Sequence, residues 1–200
     1  MIRIILAALL MLTGLFTSET ALAGPANDYV KSTQEKLFKV IAEPKSPARQ
    51  GKLKALFDES FKYDVMAEAS LGQKWGEISD AQKKQFTELL TQLIRNNYKR
   101  NLTKMLNYDM KYTGEAADGD SVVVKTVAKH KKDPHAPTIE LDFRVKKYDG
   151  KFRVIDIVTE RASLVKTYKS QFLKILRKDG FDKLIEKMKK KLDEQEKEDS

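Results

Sequence analysis

Residues 152–172, FRVIDIVTERASLVKTYKSQF, constrain the fold more than any other stretch of this chain. They read as a strand that passes almost directly into a helix. Val154, Ile155, Ile157 and Val158 are β-branched and suit a pleated, buried surface. Ser163 is a helix N-cap, because its hydroxyl accepts a backbone N–H from the first turn. After it, Leu164, Val165, Tyr168, Phe172, Ile175 and Leu176 recur at helical spacing. A strand ending in a helix that must cover it implies layered sheet and helix. A second unusual segment, FKYDVMAEASLGQKW over 61–75, lies upstream. Neither segment holds a nucleophile–base pair or a metal-ligand cluster. Both are suited to shaping an apolar space, which points to binding rather than chemistry.

The elements before and after that junction follow from local signals. An amphipathic helix over 26–42 carries Tyr29, Val30, Leu37, Val40 and Ile41 and stops before Pro44. Ser46-Pro47 starts a second, with Ser as N-cap and Pro at the first helical position. Asp64 is placed to cap a short third helix over 65–71, which Gly72 ends. Ser79 and Gln82 form a capping box that opens the longest helix, over about 80–106. Its stripe is Phe86, Leu89, Leu90, Leu93, Ile94, Tyr98, Leu102 and Met105. Four strands are expected next, over 109–116, 121–129, 138–148 and 151–159. In the third, Ile139, Leu141, Phe143 and Val145 alternate with Glu140, Asp142, Arg144 and Lys146, so one face is wet and the other covered. Asp149-Gly150 marks a hairpin turn. Two helices separated by Gly180 end the chain. The order predicts an α+β fold: a curved four-stranded antiparallel sheet packed against several helices.

The first residues bear on compartment. Arg3 followed by apolar residues 4–12 and the small-x-small Ala21-Leu22-Ala23 is the pattern of a secretory signal peptide cleaved after residue 23. Residues 24–200 then form a single domain with a charged tail over about 193–200. An exported chain with no Cys owes its stability to packing, which suits a bacterial periplasm. The net charge of +9 fits anionic head groups, acidic protein surfaces or nucleic acid alike. No aromatic-interleaved basic strand or nucleic-acid motif is present, so nucleic acid is not an expected partner.

Many of these residues resemble the MlaC, or toluene-tolerance auxiliary, family. In the first half they are Asp64, Met66-Ala67, Leu71-Gly72, Trp75, Ser79, Ala81-Gln82, Phe86 and Tyr98. In the second they are Val154-Ile155-Asp156-Ile157, Ser163-Leu164-Val165, Tyr168, Gln171-Phe172, Gly180 and Leu184-Ile185. The resemblance covers residues 26–191 in order. Arg161, Lys169 and Phe152 depart from it, standing where the family usually has Gly, Arg and Trp. The resemblance implies a nuclear-transport-factor-2-like sheet whose helices enclose an apolar cavity. It implies a periplasmic phospholipid carrier that acts as a monomer, with phospholipid as cargo and no cofactor. Its implied partners are an inner-membrane ABC transporter complex with an MCE-type component and an outer-membrane lipoprotein–porin complex. Together these maintain outer-membrane lipid asymmetry. A carrier of another hydrophobic lipid, such as a hopanoid, and a small secreted enzyme of the same cone-shaped fold are the alternatives.

The residues themselves leave the apolar face of Val122, Val124, Ile139, Leu141, Phe143 and Val145 open between a solid core and a cavity wall. The resemblance selects the cavity. It extends the wall to Phe86, Leu90, Leu93, Ile94, Leu102, Ile155, Ile157, Leu164 and Phe172. Trp75, Tyr98 and Tyr168 suit a cavity mouth, with the ring dry and the polar tip wet, and equally suit core positions with satisfied polar ends. Asp156 is the one credible acid–base residue; alternating with Ile155 and Ile157, it is expected to face water or pair with a lysine. His130 and His135 fall short of a metal site, which wants four ligands at recognisable spacing. Lys129, Lys131 and Lys132 beside them form a basic hairpin tip suited to electrostatic docking.

Overall fold

A computed structural model of the chain describes residues 24–199. The proposed signal segment 1–23 lies outside the described residues. Helix α1 spans Pro25–Ile41, α2 Pro47–Ser60 and α3 Tyr63–Leu71. A 3₁₀ segment, Gly72–Glu77, leads to α4, Asp80–Met105. The strands are β1 Tyr108–Asp118, β2 Ser121–His130, β3 Ile139–Tyr148, β4 Lys151–Thr159 and β5 Ala162–Ser163. Helix α5, Leu164–Asp199, is broken at Gly180, whose φ of 79° no helix accommodates.

Several elements begin where a side chain captures the first free amides. The Ser46 hydroxyl accepts from Arg49 N at 3.1 Å at the start of α2. Ser79 Oγ accepts from Gln82 N, and Gln82 Oε1 accepts from Ser79 N at 2.9 Å, completing the capping box of α4. At 1.5 Å per residue, the 26 residues of α4 reach about 39 Å. Asp64 does not cap α3. It lies inside the first turn, with Lys62 at the N-cap. Gly72 does end α3, with φ of 56°. A side chain on Gly72 would also meet the Lys169 ammonium at 2.9 Å.

The sheet is antiparallel, in the order β1-β2-β3-β4-β5. It therefore has five strands rather than four. The fifth is made by a tight reversal in which Glu160 and Arg161 both take positive φ, 48° and 65°. Those are the dihedrals of a hairpin turn whose twist matches the strands it joins. Two bulges bend the sheet, at Tyr112/Gly114 against β2 and at Arg144/Val145 against β4. The second leaves Ile155 without a cross-strand partner, so Ile155 drops out of the inward row that Val154 and Ile157 keep. The edge of β4 that β5 leaves open is covered by Phe61, which bridges Val154, and by Lys62 N, which donates to Val154 O at 3.0 Å.

Helix α1 lies on β1 and β2, and α3 and α5 lie on β4 and against α4. Beneath the first half of α4 the core is dense. Trp75 meets Phe86 at 6.4 Å, Phe86 meets Phe172 at 5.3 Å, and Tyr168 stacks on Phe172 at 5.2 Å. Met66, Leu71, Leu90, Leu93 and Leu184 are fully buried around them.

Candidate functional site

A cavity of about 380 Å³ opens at the other end of α4. Its walls are Gln34 and Phe38 of α1, Ile94, Tyr98, Leu102 and Met105 of α4, Tyr108 and Met110 of β1, Ile139 and Leu141 of β3, and Ile157 of β4. Ala162, Leu164 and Thr167 close it from the β5–α5 junction. Its volume lies within the roughly 300–1,000 Å³ of small-molecule sites. Asn101, Lys104, Thr159, Ala162 and Thr167 are solvent-exposed and form the rim. Among the described lining residues Lys104 is the one charged side chain, and none is acidic.

Other grooves have different chemistry. One of about 510 Å³ between α1 and the outer edge of β1 is lined by Asp28, Lys31, Glu35, Asp109 and Lys111. Such a lining solvates poorly against hydrocarbon. The 380 Å³ cavity by contrast has a mostly apolar wall, its one buried polar pair, Gln34 and Tyr98, bonded internally, and its exposed polar groups stand at the lip.

Of the residues picked from sequence, Ile94, Tyr98, Leu102, Ile139, Leu141, Ile157 and Leu164 meet at this cavity. Trp75, Phe86, Leu90, Leu93, Val122, Val124, Phe143, Val145, Tyr168 and Phe172 lie elsewhere, in the packed core or against it. Ile155 belongs to neither group. The sheet face was therefore divided between the two readings: Ile139 and Leu141 line space, while Phe143 and Val145 are solid. Sequence reasoning missed Gln34, Phe38, Met110 and the polar rim. Phe38 and Gln34 carry a signal in retrospect, since they share the sheet-facing side of α1 with Leu37 and Ile41.

Tyr98 has no wet tip. It is 6% exposed, and its hydroxyl donates to Oε1 of Gln34, 2% exposed, at 2.9 Å. Burial pushes this phenol far above the usual tyrosine range, against the smaller opposing pull of the Gln34 bond. The pair is a neutral polar tie between α1 and α4 in an otherwise apolar wall. Phe57 and Phe61 pack edge-on to the Tyr98 ring at 5.7 and 5.3 Å, fixing the ring from behind.

Asp156 departs from both sequence readings. It is 7% exposed, so it does not face water, and it has no lysine partner. Its carboxylate accepts from Ser163 Oγ at 2.5 Å, Val165 N at 3.1 Å and Ile157 N at 2.9 Å. Ser163 Oγ in turn accepts from Lys166 N at 3.0 Å. The two side chains jointly satisfy the first amides of α5, which a helix N-terminus otherwise leaves unpaired. The carboxylate is fully engaged in structure, and the junction it locks forms one wall of the cavity.

The basic hairpin tip is also partly structural. Lys131 Nζ donates to Leu106 O at 2.8 Å, capping the C-terminal end of α4. His130 Nδ1 accepts from Asp133 N at 2.9 Å, and its ring meets Tyr108 edge-on at 5.0 Å. Lys129, Lys131 and Lys132 are all exposed. No group of three or more metal-ligating side chains exists among the described residues.

The family model described as MlaC protein matches residues 31–190. The chain belongs to the MlaC family. No curated protein matches in sequence. Among solved structures, the MlaC fold of this chain is similar to a phospholipid-binding protein from Ralstonia solanacearum, solved in complex with a phospholipid. The match has a TM-score of 0.72 and 22% identity, and covers 86% of this chain and 99% of that one. At that identity the likeness establishes the α+β fold. The five-stranded sheet and helix order described above are thus those of an MlaC protein.

Proposed function

We propose that this protein is a periplasmic phospholipid carrier that moves lipid between an inner-membrane ABC transporter complex bearing an MCE-type component and an outer-membrane lipoprotein–porin complex. Residues 1–23 direct its export and are removed. It acts as a monomer, binds rather than catalyses, and needs no cofactor. The observation that carries the reading is the cavity: mostly apolar walls from α1, α4 and the strand ends, in which the buried polar pair Gln34–Tyr98 is bonded to itself and the exposed polar groups stand at the lip. Membership of the MlaC family and a shared fold with a protein solved around a phospholipid support it.

The energetics suit such a shape. A buried CH₂ is worth about 0.8 kcal/mol in a bilayer or in a dry cavity, so the cavity must be apolar merely to offset leaving the membrane. A phosphate-bearing head group is costly to bury and belongs at a wet rim. The engagement of Asp156 in capping α5 removes the one side chain that an enzyme of this shape would use as a base. Lys129, Lys131 and Lys132 are the docking cations. Contacts with two membrane complexes must be reversible, and exposed charges steer encounter without locking it.

The test is organic extraction of protein purified from its own periplasm, followed by mass spectrometry. Stoichiometric glycerophospholipid is expected. Hopanoid in its place would reassign the cargo, and empty protein in repeated preparations would overturn the carrier reading.

A further inference from the structure

Asn97, Asn101 and Lys104 stand along one face of α4 and all line the cavity. The spacing of four and then three residues puts their side chains in a single column. Asn97 is half-buried, and Asn101 and Lys104 are exposed, so the column climbs from the apolar interior to the lip. Lys104 takes part in none of the ion pairs of the described residues.

The N-terminus of α5, a second positive feature at the lip, is already spent. The amides that open α5 beside Leu164 and Thr167 are held by Asp156 and Ser163, and Thr167 Oγ1 donates to Ser163 O. An anion at the rim therefore meets the α4 column and not the α5 N-terminus. The column offers amide donors and one ammonium. Among the described lining residues no carboxylate is available to pair with the amine of a head-group alcohol.

We propose that the Asn97–Asn101–Lys104 column reads the phosphate of the bound lipid, and that the alcohol beyond the phosphate goes unread. This rests on the carrier function proposed above. It deepens that function by defining the cargo as any lipid with two features, hydrocarbon for the cavity and a phosphoryl anion for the column. Phosphatidylglycerol and phosphatidylethanolamine are then equivalent. Diacylglycerol with the same acyl chains is disfavoured.

The experiment is a competition assay with delipidated, refilled protein, displacing a fluorescent phospholipid with each of three unlabelled lipids of matched acyl chains. Phosphatidylglycerol and phosphatidylethanolamine should compete equally. Diacylglycerol should compete about tenfold less well, the size expected of a hydrogen-bonded contact to a charged group. Lys104→Ala combined with Asn101→Ala should weaken both phospholipids by that factor while leaving diacylglycerol unchanged. Both sites are exposed, and circular dichroism checks that the fold persists. Equal competition by diacylglycerol and phospholipid, or a variant that loses nothing, would overturn the phosphate column while the carrier function stood. Failure of the fluorescent lipid to bind at all would overturn the carrier function itself. Inorganic phosphate at millimolar concentration should displace nothing. Displacement by it would make the column a site for free phosphate and overturn its assignment to lipid.

Discussion

The two halves of α4 carry the same kind of apolar stripe and do opposite things. Phe86, Leu89, Leu90 and Leu93 press into a dense core beneath α3 and α5. Ile94, Tyr98, Leu102 and Met105, on the next turns of the same face, border empty volume. The difference lies in what stands across from them. The first half faces helices that deliver Trp75, Tyr168 and Phe172 into contact. The second half faces the ends of β1, β3 and β4 and the β5–α5 junction, where Ala162 and Leu164 stand and the rings of Phe38 and Tyr108 line the space without filling it. A binding site arises here from an absence in the facing elements, not from anything special in the helix.

The strongest test of that contrast is truncation on either side. Phe86→Ala should destabilise by about 4 kcal/mol, since a fully buried ring leaves a void in close packing. Leu102→Ala, equally buried, should cost about 2 kcal/mol, because the cavity side of its wall already lacks partners to lose. Urea unfolding of both variants makes the comparison. Equal losses would mean that the cavity is filled by rearranged side chains in solution.

Filling the space should invert the pattern. Leu141→Trp places a large ring in the cavity and should cut lipid affinity at least about tenfold, with stability lowered by less than about 1 kcal/mol. A comparable enlargement at Val124, which is 0% exposed in the solid part of the sheet, should unfold the protein before it affects lipid. Lipid titration of each variant, beside its melting curve, separates these outcomes.

A smaller effect is expected at the polar tie. Tyr98→Phe leaves Gln34 Oε1 buried without a donor and should cost about 1–2 kcal/mol. The same residue has a pH signature. Its phenol is neutral in both states below about pH 10, the ordinary tyrosine value. Above that, the unfolded chain gives up the proton while the folded protein keeps it, so stability falls as pH rises. Tyr63 and Tyr112, pushed up by burial in the same way, add to that fall. Each contributes a slope of up to about 1.4 kcal/mol per pH unit. Tyr98→Phe should flatten the alkaline slope by one such increment, read by denaturation between pH 9 and 12.

The smallest change belongs to neither half. Arg161→Gly relieves a side chain held at φ of 65° and should stabilise by about 0.5 kcal/mol, with lipid binding untouched. The gain is small because Gly also frees the unfolded chain.

Much of this fold could be read from the chain because its signals are local. Ser46, Ser79 with Gln82, and Ser163 act within a turn of themselves, and all four do in the structure what their spacing implies. Asp149 and Gly150, both at positive φ, make the expected hairpin turn. β5 was illegible because two residues carry no alternation, and its turn uses Glu160 and Arg161 where a turn signal would be Gly. Asp156 misled because alternation assumes an unbroken strand, and the bulge beside it changes which residues share a face. The capping bond of Lys131 was illegible because its partner is a backbone carbonyl, which leaves no trace in composition. The division of the core into solid and hollow parts was illegible for the reason α4 gives. A stripe shows which residues avoid water and is silent on what stands opposite.

Helix α1 has a further property that concerns time rather than space. Its N-cap, Gly24, has no side chain, and the free amide of Asn27 is instead held by Glu115 of β1 at 2.7 Å, 88 residues later. A second long-range tie, Gln34 to Tyr98, spans 64 residues, while Tyr29 OH donates to Ser60 O of the neighbouring α2. A helix of 17 residues is marginal alone in water, so α1 depends on its partners, of which α2 is near in sequence while Tyr98 and Glu115 are far. Closing contacts of such sequence separation carries a loop-closure cost that local contacts avoid. Glu115→Ala should therefore speed unfolding while leaving the refolding rate unchanged, the kinetic mark of an element absent from the transition state. That outcome would make the wall that α1 lends the cavity a late part of the molecule to form.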